Sequence, residues 1–126
     1  EMGMGPVMPD DPPVVAALRR VMNTIYTGKP DGTWQRSEFF EVSKKRGEYW
    51  RKPWELFARA FECYVVDALA EKGRGNNYLA YDKSLKSPKA PYPRDKEREA
   101  LKEAFDGLFA AIRQTGTLKK ALRLLG

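Results

Sequence analysis

The sequence predicts an all-α fold: a compact bundle of four to five helices with one long ordered loop. Three observations carry this. Apolar residues recur at the three- to four-residue spacing of a buried helix face in several separate windows. Proline or glycine punctuates the ends of those windows. No stretch alternates apolar and polar residues as a half-buried strand would.

Each element has its own justification. The first eleven residues, rich in Met, Gly, Pro and Asp, read as an extended arm or linker, and residues 12–126 as a single helical domain. Pro12 and Pro13 suit a first helical turn, where a missing N–H costs nothing. Val14, Val15, Leu18, Val21, Met22 and Ile25 follow at helical spacing, and Gly28 stops the run before a Lys29–Gly32 turn. A shorter helix is expected over 33–47, anchored by Trp34, Phe39, Phe40 and Val42. Ser37 precedes its regular part, and Lys44, Lys45 and Arg46 suit the negative end of its dipole.

The third helix is expected from Pro53 to Lys72, with Trp54, Ala58, Phe61, Val65, Ala68 and Leu69 as one stripe. Leu56, Phe57, Ala60 and Tyr64 widen that stripe beyond an ordinary amphipathic face, which marks a central helix with neighbours on several sides. Residues 73–92 form the long loop. Its Asn76–Tyr81 part carries apolar anchors and is expected to fold back on the core; Lys83 to Pro91 is polar and expected to be mobile. Pro93 opens the fourth helix, with Leu101, Ala104, Phe105, Leu108, Phe109 and Ile112 inward and Gly116 as its stop. Thr117 caps a last short helix, with Leu118, Ala121, Leu122 and Leu125 expected to face inward.

Composition excludes several chemistries. The 126 residues include no histidine and one cysteine, so a HExxH zinc site, a histidine triad and a histidine general base are absent from this chain. No glycine-rich phosphate loop appears. Cys63 lies in an apolar helix and reads as a buried packing residue; with no second cysteine, it fits a reducing compartment. No run approaches the roughly 20 apolar residues of a membrane span. Neither a catalytic constellation nor a cofactor or metal site is expected, so the chain reads as no enzyme, and no membrane partner is expected. The first residue is Glu1 rather than methionine, which suggests a piece of a longer polypeptide or a processed N-terminus.

The net charge is +6. Lys83, Lys86 and Lys89 in the loop and Lys119, Lys120 and Arg123 in the tail form a basic patch that admits nucleic acid or another polyanion as partner. A plainly solvated surface explains the same residues, and no aromatics interleave with the basic tail.

The stretch from Tyr49 to Tyr64 is unusual in placing Glu55, Arg59 and Glu62 within an aromatic-rich helix. The spacing gives a Glu55–Arg59 pair at i,i+4 and an Arg59–Glu62 pair at i,i+3, each of about 0.2–0.5 kcal/mol if exposed. The alternatives are a docking face or the remnant of a metal site. Trp34, Trp50 and Trp54 read as core and loop-packing residues. Asn77, Tyr78 and Tyr92 read as loop residues whose polar tips satisfy backbone groups, or as part of a partner surface. Glu62 is placed to hydrogen-bond the Asn77–Tyr81 loop.

These residues carry a resemblance. Tyr49-Trp50, the run Pro53 to Glu62, Tyr64-Val65, Asn77-Tyr78-Leu79, Tyr92-Pro93, Glu97-Arg98, Phe105-Asp106 and Leu108-Phe109, in this order, resemble large polyvalent protein-associated domain 1, over roughly Trp34 to Ile112. The resemblance implies a setting in phages and conjugative elements, on multi-activity chains that enter a recipient cell with the DNA. The domain in that family has no assigned reaction, and its role as a linker, a docking module or an effector is open. The chain is read first as a non-enzymatic module acting by protein–protein contact in the virion or in the host cytoplasm, with other domains of the parent polyprotein or another protein as partners. The resemblance makes Trp54, Glu55, Arg59, Glu62, Tyr64, Asn77, Tyr78 and Tyr92 the candidate interaction or fold-defining residues. A weaker similarity links the Glu55 helix to the third-ligand helix of some zinc metallopeptidases, with Tyr64 or Tyr78 as oxyanion stabiliser; the first two ligands are missing here. The remaining alternative is a nucleic-acid-binding module using the basic loop and tail.

Overall fold

The structure is a computed structural model that describes residues 5–73 and 90–125. The described residues are all-α: α1 (Pro13–Thr27), α2 (Glu38–Arg46), a 3₁₀ turn (Tyr49–Arg51), α3 (Pro53–Glu71), α4 (Asp95–Thr115) and α5 (Thr117–Leu125). The sequence-based expectations for Asn76–Tyr81, and for Asn77, Tyr78, Lys83, Lys86 and Lys89, lie outside the described residues.

α1 begins where the Pro12–Pro13 pair predicts and ends at Gly28, whose φ of 82° closes the helix with an N–H bond to the Thr24 carbonyl. Ala17, Val21 and Ile25 point inward at successive turns. α1 and α4 make the most extensive helix pair, and Leu101, Phe105, Leu108 and Ala111 supply the α4 side of the core. α2 adds Phe39 and Phe40, and α3 adds Leu56 and Ala60. Between α3 and α4 lies an aromatic stack. Phe57, Phe61 and Tyr64 meet Phe105 at centroid distances of 5.4, 5.7 and 5.3 Å, Phe57 edge-on and the other two tilted, within the range in which ring pairs attract.

The arm is tied to α1. Asn23 is buried and its side-chain amide donates to the Gly5 carbonyl at 3.0 Å and the Pro30 carbonyl at 3.3 Å. A buried amide left without these acceptors would be costly.

Four expectations are corrected. The second helix starts at Glu38, not near Thr33. Ser37 stays extended because its N–H donates to the Tyr26 carbonyl at 2.8 Å and its hydroxyl to the Ile25 carbonyl at 2.6 Å. The same hydroxyl accepts from Phe40 N at 3.0 Å and so caps α2. Trp34 therefore falls before the helix and is 87% exposed, not an anchor.

The buried side of α3 is also not the predicted stripe. Leu56, Arg59, Ala60, Cys63 and Val66 are buried, whereas Trp54 and Ala58 are exposed and Phe61, Val65, Ala68 and Leu69 are only half-buried. At about 100° per residue, Leu56 and Cys63 lie nearly opposite Trp54. A helix apolar on most sides gives periodicity too little contrast to fix its orientation, and the seating of Arg59 decides it.

Pro91, expected in a mobile polar stretch, is buried, because its carbonyl accepts from Arg59. Finally, Leu118, Leu122 and Leu125 of α5 are exposed, not inward. Only Gly116, at φ 64°, separates α5 from α4, and α5 projects past the core without reaching it.

Candidate interaction surface at the start of the third helix

The site is built from the chain between α2 and α3. Gly47 ends α2, the 3₁₀ turn follows, and Pro53 fits the first turn of α3 without an unmet donor. This connection carries Tyr49 and Trp50, and Trp54 follows in the first turn of α3.

Beneath Trp50 sits Arg59, 5% exposed. Its Nε donates to the Pro91 carbonyl at 2.8 Å, and its Nη2 donates to Ser43 Oγ at 2.9 Å and to the Trp50 carbonyl at 2.5 Å. Nη1 lies 4.0 Å from Glu55 Oε1 and has no hydrogen-bond partner among the described residues. The guanidinium also lies over the rings of Phe39 and Trp50, at 5.7 and 5.1 Å. Burial, then the nearby Arg46 charge, lowers its pKa, while Tyr92 and Glu55 counter this. Arg59 thus joins α2, the turn, α3 and the entry to α4 in a way that a planar fork with several donors allows and a lysine does not.

The other predicted residues take distinct places. Glu55 hydrogen-bonds the Tyr49 hydroxyl, an interaction that raises the Tyr49 pKa. Glu62 has a buried Oε1 with no hydrogen-bond partner among the described residues. It acts on Tyr92, whose pKa is raised first by burial and then by the Glu62 charge and hydrogen bond. Tyr64 stands apart from this group: its hydroxyl donates to Asp106 Oδ1 at 2.7 Å, and burial followed by that bond pushes its pKa up to about 12. Glu55 and Glu62 therefore flank a buried arginine instead of forming an exposed stripe with it. Among the described residues, no three His, Cys, Asp or Glu side chains gather where a metal ion could be held.

The chain around the start of α3 is aromatic and cationic. Trp50 has the Arg46 guanidinium over its ring at 5.1 Å, as well as that of Arg59. Tyr49 meets Trp50 edge-on at 5.9 Å. Lys52 Nζ lies 5.2 Å from the Trp54 ring centroid. Tyr49 and Trp54 are 57% and 61% exposed. Large rings held by a rigid helix start, with cations beside them, are suited to bury against a partner protein. Of the basic patch, Lys119, Lys120 and Arg123 lie exposed on α5, away from this surface.

Sequence reasoning missed Ser43 and Glu97. Ser43 is a buried hydroxyl that completes the Arg59 site. Glu97 Oε2 and Oε1 accept from the backbone N–H groups of Glu38 and Phe39 at 2.8 and 3.0 Å. A serine three residues before a basic helix end carries no signal of its own, and a carboxylate capping a helix 59 residues away has none.

No helix among the described residues is long and apolar enough to cross a membrane. No curated protein and no solved structure matches the chain. The chain does match a protein family, large polyvalent protein-associated domain 1, over residues 42–116, which is more than half its length.

Proposed function

Because the chain belongs to the large polyvalent protein-associated domain 1 family, we propose that it is a non-enzymatic docking module that works by protein–protein contact. Its partners in this reading are other domains of the polyvalent protein that carries it, in the virion or after delivery into the host cytoplasm. The family's description names an association with large polyvalent proteins and no reaction. The observation that supports contact is the exposure of two rings near the start of α3, Tyr49 beside Trp50 and Trp54 beside Lys52. Aromatic and arginine side chains dominate the energetics of protein interfaces, and rings held in place lose little entropy on binding.

The test uses the domain and, separately, the segments that flank it in its gene. Calorimetric titration is expected to detect binding. Tyr49→Ala with Trp54→Ala is expected to weaken it at least tenfold, about 1.4 kcal/mol, with the melting temperature unchanged. Undiminished binding by the double variant would remove this surface from the reading.

A further inference from the structure

We propose that α5 is an exchange arm: its leucine side docks in the groove between α1 and α4 of a second copy of this chain. The aromatic surface at α3 takes no part in this.

The arm is an amphipathic helix that packs on no other helix among the described residues beyond its junction with α4. Leu118, Leu122 and Leu125 are 61%, 58% and 86% exposed. At about 100° per residue they share one side, with Lys119 and Arg123 along one flank. Solvated leucines at i, i+4 and i+7 are the pattern of a helix face that packs on another helix.

The groove is on the same chain. It has a volume of about 380 Å³ and lies between the outer sides of α1 and α4, lined by Ala17, Ala104, Gly107 and Ala111, with Arg20 on the α1 side and Glu103 on the α4 side. Small side chains there let a third helix approach closely, and leucines provide the bulk that the groove lacks. Leu118 to Leu125 and Ala104 to Ala111 are both seven steps from end to end, roughly 10 Å of helix. The charges match in spacing as well. Lys119 and Arg123 are i,i+4 on the arm, and the exposed Glu99 and Glu103 are i,i+4 on the outward side of α4.

The chain cannot make this contact with itself. α4 ends at Thr115 and α5 starts at Thr117, leaving Gly116 alone between them. Antiparallel helix pairs need a connection of two to five residues. An arm too short to return on its own groove can reach that of a second copy, and two such contacts made reciprocally close a two-fold dimer with no open end.

The test is the mass of the 126-residue chain in solution by sedimentation equilibrium, with three sets of variants. A dimer is expected. Leu118→Lys with Leu122→Lys is expected to halve the molar mass while helical content and melting temperature stay the same. Glu99→Lys with Glu103→Lys is expected to weaken the dimer at least tenfold, and adding Lys119→Glu with Arg123→Glu to that chain to restore it. Mixing Leu122→Cys chains with Gly107→Cys chains is expected to give a disulfide-linked dimer that neither forms alone. A wild-type monomer at high micromolar concentration would overturn the proposal. So would a dimer indifferent to the leucine variants, or an α5 that binds anionic vesicles or a flanking domain in place of a second copy.

Discussion

Glu97, in the first turn of α4, accepts the backbone N–H groups of Glu38 and Phe39 across 59 and 58 residues of chain. With Ser37 accepting from Phe40 N, the first three amides of α2 are all met by side chains. The carboxylate also lies at the positive end of the α2 dipole. A Cβ on Gly28 would meet the Glu97 side chain in ordinary van der Waals contact at 3.6 Å, so its φ of 82°, not space, is what favours glycine there. Glu97→Ala is expected to cost about 1.5–3 kcal/mol, the value of hydrogen bonds to a charged group. Urea unfolding measures it, and a loss below about 0.5 kcal/mol would show that solvent replaces the carboxylate at no penalty.

Arg59→Lys is expected to destabilise by about 3 kcal/mol or more, although the charge is kept. A single ammonium cannot reach the Pro91, Ser43 and Trp50 acceptors together. Chemical denaturation of the lysine variant tests this, and a near-neutral result would mean that the charge rather than the fork matters.

Tyr64 gives the stability an alkaline limb. Its folded pKa of about 12 stands above the ordinary 10.0, so the folded state holds the proton more tightly than the unfolded one. Its contribution is complete below pH 10 and is lost as pH rises through about 12. Tyr64→Phe is expected to flatten the fall in unfolding free energy across that window. Stability curves for the two proteins from pH 8 to 12 check it, and parallel curves would rule the effect out.

The tryptophans should separate by solvent contact. Trp34 and Trp54 are exposed, whereas Trp50 is half-buried between two guanidinium groups. Trp34→Phe and Trp54→Phe are each expected to remove red-shifted emission that acrylamide quenches readily, while shifting stability by no more than about 0.5 kcal/mol. Emission from Trp50 alone, in the double variant, is expected to be the most protected.

Much of the helical framework was legible because local signals mark it. Gly28 and Gly116 end α1 and α4 in the left-handed conformation, and Pro53 opens α3. The periodicity of Val21, Ile25, Leu101 and Phe105 named core residues. Orientation was not legible on α3, where apolar residues surround the helix and a buried arginine sets the inward side. Nor was it legible on α5, where an amphipathic pattern says that a partner is wanted but not that it is absent from the same chain. The sequence singled out Trp54, Glu55, Arg59, Glu62 and Tyr92, among them the arginine that the structure buries. The wiring of that arginine was not legible, because Ser43 and the Trp50 and Pro91 carbonyls reach Arg59 from 16, 9 and 32 residues away.

Those three acceptors of Arg59 have a consequence for motion. They belong to three separate stretches of chain, so no one of them can swing out without leaving the others beside an unmet buried charge. Local fraying is therefore suppressed there. Amide hydrogens at the end of α2, in the 3₁₀ turn and in the first half of α3 should exchange with solvent through one shared opening event, with a common free energy. The aromatic rings above that arginine consequently rest on a floor that opens as a whole or not at all.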